Sequence, residues 1–163
     1  MAISAYMTIN GTSGQIDGSV TEKGRENTVE VFQRANKVEI PIDPRTKENR
    51  GVRNHDTYNM TVMLDKATPY YFKALADGDT WPSLTLDTYR VVSGKCNKVY
   101  TEKLEHARVV SAEIIQPDTS DNSDKDKMRI PEQVNLNVAY QKITRTWEDG
   151  NITSTDDWKE TSA

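Results

Sequence analysis

Val134, Leu136, Val138 and Tyr140 alternate with Asn135, Asn137, Ala139 and Gln141. A period of two predicts an extended strand, because successive side chains of a strand point to opposite faces. This one has an apolar face and a mostly amide face. Tyr58, Met60, Val62 and Leu64 repeat the pattern against Thr57, Asn59, Thr61 and Met63. Further strands are expected at Tyr6–Ile9, Gln15–Val20, Val29–Phe32, Lys37–Ile42, Leu84–Val92, Val99–Leu104 and Ala107–Ile115. Val29–Phe32 should pair with Lys37–Ile42. The last two segments should form a hairpin or one long bent strand. Beyond Tyr140 the apolar phase moves from even to odd positions, at Ile143 and Trp147, which predicts a bulge or bend. Asn10-Gly11 and Asp149-Gly150 mark turns.

One short helix is expected over residues 68–77. Thr68 suits its cap, Pro69 its first turn and Gly78 its end. Phe72, Leu75 and Ala76 would share one face, with Tyr71 beside Leu75. At roughly 14 Å it is marginal alone and needs a sheet or barrel mouth to pack on. Two polar stretches remain, a long extended loop over Asp43–Asp56 and an acidic loop over Gln116–Pro131. These elements predict a mainly β fold, an antiparallel β-barrel of about eight or nine strands with one helix, since closure removes exposed edges. The 163 residues suit one domain, 1–163. A domain of that size buries roughly 68–70% of its unfolded surface without staples.

A net charge of −4 argues against nucleic acid as a partner, where cationic charge dominates binding. Met1–Tyr6 has neither a basic patch nor a long apolar run, so no signal peptide and no membrane insertion are expected. Candidate chemistry is sparse. His55 and His106 are the two histidines, and neither lies in a pattern that implies a nucleophile and an orienting acid. Cys96 has no partner for a disulfide or a metal. Asp118, Asp121, Asp124 and Asp126 form an acidic cluster, but Ser123 and Arg129 occupy the Gly and Glu positions of a calcium loop starting at Asp118. No catalytic, cofactor or metal site is expected. A structural building block is therefore favoured over an enzyme, with a monomeric ligand-binding barrel carrier as the alternative.

Asp65-Lys66-Ala67-Thr68-Pro69-Tyr70-Tyr71, followed by Ala74-Leu75, resembles the single helix of the Hcp family, the haemolysin-coregulated tube proteins of type VI secretion systems. Gly51-Val52-Arg53-Asn54-His55 is similar to the segment that closes the family's extended loop. Val138–Ile143, Asp149-Gly150-Asn151 and Asp156-Asp157-Trp158 are similar to its C-terminal elements. The chain departs from the family's habit at Thr57-Tyr58, where Pro-Phe is often found, at Arg145, where an aromatic is common, and at Thr88, where Trp is frequent.

The resemblance implies homohexameric rings that stack into a tube, inside a sheath and behind a VgrG-like spike, carrying effectors in the lumen. It implies assembly in the bacterial cytoplasm and then export without a signal peptide. On that reading Asp43, Arg45, Lys47, Glu48, Arg50, Arg53 and His55 are candidates for contacts between rings or subunits. Asn135, Asn137 and Gln141 are candidates for the lumen wall.

Overall fold

The computed structural model describes residues 4–116 and 132–158. The acidic cluster at Asp118–Asp126 lies outside the described residues. Within them run β1 (Ser4–Gly11), β2 (Gly14–Ile16), β3 (Val29–Ala35), β4 (Val38–Glu39), β5 (Asn54–His55) and β6 (Tyr58–Met63). Helix α1 (Thr68–Asp77) comes next, and β7 (Trp81–Val92), β8 (Lys95–Ile115), β9 (Gln133–Ala139), β10 (Lys142–Trp147) and β11 (Ile152–Asp157) complete the order.

Six strands close a barrel in the order β8-β7-β1-β3-β6-β9, with β9 pairing back onto β8. All of these pairings are antiparallel. β2 folds back on the end of β1, and β10 and β11 extend the sheet beyond β8. The sheet holds nine strands in all, six of them in the closed barrel. The expected alternation also holds: Tyr58, Met60 and Val62 of β6 and Val134, Leu136 and Val138 of β9 are buried, while Asn59, Thr61, Asn135 and Asn137 point away from the core. Met7, Ile9, Leu84, Leu86 and Leu104 fill the interior from the other strands.

β8 is one strand of 21 residues, not a hairpin. It bends where His106 takes a φ of 53°. Before the bend one edge of β8 holds β10, and beyond it the same edge holds β9. The phase change between Tyr140 and Ile143 is the junction of these two partners. There the Gln141 N–H donates to the Glu105 carbonyl (3.1 Å).

The helix has the expected bounds but turns a different face inward. Thr68, Tyr71 and Ala74 are buried, whereas Phe72 and Ala76 are exposed. Spacing of three and four places Thr68, Tyr71, Ala74 and Leu75 in one stripe. The small Ala74 lets the helix approach closely, and Tyr71 meets Trp81 with ring centroids 6.3 Å apart. Ala67, not Thr68, holds the cap position, with no side-chain capping bond. Thr68 begins the helix, and its hydroxyl accepts from the Asp65 N–H (3.1 Å). Asp65 accepts in turn from the Ala67 N–H (2.9 Å). Gly78, at φ 67°, ends the helix as expected.

Two pairings differ from expectation. β3 pairs with β1 and β6, and Val38–Glu39 pairs with Asn54–His55 instead. After Ala35 the chain leaves the barrel and returns to it only at Tyr58.

Candidate functional site

Residues 37–56 form a two-stranded arm rather than an open loop. The Asp56 N–H donates to the Lys37 carbonyl (3.0 Å) and the Arg50 N–H to that of Pro41 (2.6 Å). Ile42 bridges to Asn49 just beyond them, toward the tip. The tip is a tight turn in which the Asp43 N–H donates to the Glu48 carbonyl (2.8 Å). The Asp43 carboxylate accepts from the backbone of Arg45 (2.7 Å) and Thr46 (3.2 Å) and pairs with Arg50 (3.2 Å). Aspartate suits such a turn because its side chain can bond the backbone two residues on. Asp43 is thus committed within the tip, while Arg45, Lys47, Glu48 and Arg50 are exposed.

Charge is only half of this surface. Val38, Ile40 and Ile42 alternate along one strand and are 37%, 44% and 49% exposed; Val52 across from them is 69% exposed. β-branched residues of this kind favour a strand, and their alternation places them on one face.

Arg53 and His55 belong to the arm's root and are turned onto the body. Arg53 Nε donates to both carboxylate oxygens of Asp156 (2.9 and 2.7 Å), and its Nη2 reaches the same carboxylate and the Asp157 carbonyl. His55 Nε2 lies 2.7 Å from Asp156, and its Nδ1 2.8 Å from the Tyr140 hydroxyl. Asn36 donates to that hydroxyl (3.2 Å) and accepts from Arg145 (2.7 Å). The Tyr140 hydroxyl thus meets Asn36 and one ring nitrogen of His55, and Asp156 takes the other. The hydrogen bonds from Arg53 hold the Asp156 carboxyl below the usual carboxylate range, against the opposing effect of burial, and His55 adds to the lowering. Burial raises the Tyr140 phenol.

Acid, imidazole and hydroxyl in a row suggest a reaction centre, yet these groups are saturated. Tyr140 already serves Asn36 and His55, and its raised pKa opposes ionisation. The arrangement clamps two chain segments together. Asp156, Tyr140, Asn36 and Arg145 escaped the sequence reading as partners of the arm. The one available signal was that the segments around His55, Tyr140 and Asp156 all carry the family resemblance.

Arg145 links this knot to a second one. Glu102 is buried and accepts from the Tyr58 hydroxyl (2.7 Å). It stands 3.4 Å from Arg145 and 3.7 Å from Arg34. Arg34 also donates to Thr88. Tyr58, Thr88 and Arg145 are thereby gathered around one buried carboxylate and its arginine.

Asn135 and Asn137 lie on a concave outer wall of the barrel, beside Gln33, Asn59, Thr61 and Ser111, lining a groove of about 490 Å³. Thr61 donates to Asn135 there (2.8 Å). Gln141 is not brought to this wall; it sits at the β9–β10 junction beside His106, Arg108 and Trp158. Cys96 is exposed on β8, just past the Ser93-Gly94 turn, with Arg25 3.5 Å from its sulfur. Among the described residues no group of three or more His, Cys, Asp or Glu is placed to hold a metal ion. No helix there is long and apolar enough to cross a membrane.

The model of the family described as "Type VI secretion system effector, Hcp" matches residues 6–147. The "Major exported protein" of Pseudomonas aeruginosa PAO1 is 29% identical, covering 98% of this chain and 97% of its own. A solved Hcp1 from E. coli EAEC 042, carrying two tryptophan substitutions, is 30% identical with a TM-score of 0.84, over 96% of this chain and 99% of that one. The secreted protein Hcp3 of Pseudomonas aeruginosa is 27% identical with a TM-score of 0.74, over 96% and 99%. Barrel, helix and arm together lie within these matches, and the chain belongs to the Hcp family of type VI secretion system proteins.

Proposed function

We propose that this chain is the tube subunit of a type VI secretion system, closing head-to-tail into homohexameric rings that stack through the arm. The observation that carries the reading is the arm's half-exposed row of Val38, Ile40 and Ile42 beside a charged tip. An apolar row on a thin two-stranded projection gains nothing in a lone barrel, and it gains burial against a second copy. A head-to-tail contact that closes by rotation gives a ring, and a second one along the axis, which does not close, gives a filament. The mixed charges of the tip suit contacts that form reversibly and weaken with salt.

Asn135 and Asn137 are proposed to face the lumen, where an amide wall offers hydrogen bonds to passing effectors. A spike protein and a sheath are the other partners, and the described relatives named as exported or secreted support export of this chain as well. The carrier reading is disfavoured by the barrel's interior. Met7, Ile9, Leu86, Leu104 and Leu136 fill it without exposure, where a carrier needs a cavity.

Deleting Arg45–Arg50 tests the reading. Folded barrels in rings that no longer stack, seen by electron microscopy, are expected. Unchanged tubes from the deletion variant rule it out.

A further inference from the structure

We infer that Asp156 is a positioning residue: its grip on Arg53 and His55 sets the angle at which the arm leaves the barrel, and so the register in which rings meet. The inference rests on the stacking role proposed above. Among the described residues β4 and β5 pair only with each other, as a separate two-stranded sheet. Such a ribbon is marginally stable alone. The other ion pairs of the arm's charges are internal to it, Lys37 with Glu39 and Arg50 with Asp43. They stiffen the ribbon without fixing its direction. Direction comes from the root, where Arg53, just before β5, and His55, within it, face the same carboxylate.

That carboxylate is on firm ground. Asp156 stands on β11 directly across from Ile143 of β10, which is fully buried. Arg53 approaches it with the two-pronged geometry that fixes orientation as well as distance. His55 adds a second direction, and its ring is held edge-on to Tyr140 with centroids 5.4 Å apart. Three donors from two arm residues therefore converge on one carboxylate. The lever is long. At ~3.3 Å per residue the tip stands roughly 20 Å beyond the root, so a swing of about 10° would shift it by roughly 3–4 Å. Such a shift is the width of a side-chain contact.

Asp156→Ala, Asp156→Glu and Arg53→Lys in the full-length protein test this. Ring mass is read by light scattering, stacking by electron microscopy, and β4–β5 amide protection by hydrogen exchange. Asp156→Ala is expected to keep rings, lose stacking and speed exchange at the arm by about tenfold or more. Asp156→Glu should restore part of both, and Arg53→Lys should fall between, since a lysine keeps the charge but not the fork. Normal stacking by Asp156→Ala, unchanged arm exchange, or loss of the ring itself would each overturn the inference. If the Arg45–Arg50 deletion stacks normally, the stacking role fails. Arm exchange in Asp156→Ala then still decides whether the root holds the arm.

Discussion

Arg53 and Asp156 stand 103 positions apart in the chain and form a two-pronged ion pair at the foot of the arm. The pair joins the segment before β6 to the last described strand. It exists because β6 and β11 occupy the same edge of the continuous β9–β10 partner, one beyond the other. The arm emerges in the interval between them, with Asp156 within reach.

The pair makes stability depend on pH in a set direction. The carboxyl of Asp156 is lowered in the fold, so its contribution is complete above the ordinary Asp value of about 3.9 and is lost as pH falls through the lower folded value. The destabilisation caused by Asp156→Asn should be full at about pH 5 and shrink below pH 4, where the wild-type protein loses the same charge. Denaturant titrations of both proteins across that range check this. A difference that stays constant down to pH 2 would remove the ion pair from the account.

Glu102 tests the second knot. Removing a buried carboxylate while Arg34 and Arg145 remain strands their charges, and Glu102→Ala should cost about 3–5 kcal/mol. Tyr58→Phe removes only a hydrogen bond to a charged group and should cost about 1.5–3 kcal/mol. Unfolding midpoints at fixed protein concentration give both values. Equal, small effects would mean that water, rather than these partners, satisfies the carboxylate.

Much of the barrel could be read from residue order, and the reasons are local. Alternation at Tyr58–Met63 and Gln133–Ala139 reports a wall with one face in the core, and Pro69 with Gly78 brackets the helix. What escaped depends on contacts between distant segments. The helix stripe was misplaced because Phe72 is large and apolar, yet the barrel mouth accepts Tyr71 and the small Ala74. The polar run at 43–56 predicts a long extended loop rather than a paired ribbon, and the alternation of Val38, Ile40 and Ile42 predicts a strand paired with Val29–Phe32. Arg53 and His55 were grouped with the tip because nothing near them in the chain announces Asp156. Gln141 continued the amide pattern of Asn135 and Asn137 on paper, but the junction after Ala139 turns it elsewhere.

Gly18 carries a purely steric prediction. A Cβ added there would stand 2.2 Å from the Thr28 carbonyl oxygen, closer than any real contact. The Gly18 N–H also donates to the Asn27 carbonyl (3.0 Å), holding the two sides of this loop together. Gly18→Ala should therefore destabilise by about 1–3 kcal/mol, as overpacking does in a well-packed core. Thermal unfolding checks it. A neutral result would show that the 17–28 segment yields without cost.

The arm's apolar row separates folding from assembly. Ile40→Asp and Ile42→Asp alter half-exposed positions outside the core, so the unfolding free energy should change by no more than about 0.5 kcal/mol. Stacking should nevertheless be lost, because each buries a charge at the proposed contact. Denaturation and microscopy on the same preparations separate the two effects. Tubes that persist in both variants would place the contact elsewhere.

The mass of the purified protein in solution bears most directly on whether this barrel is a subunit. Analytical ultracentrifugation over a wide concentration range should show a species of about six times the 18.5 kDa chain, with longer assemblies as concentration rises. A single 18.5 kDa species at every concentration would contradict the account.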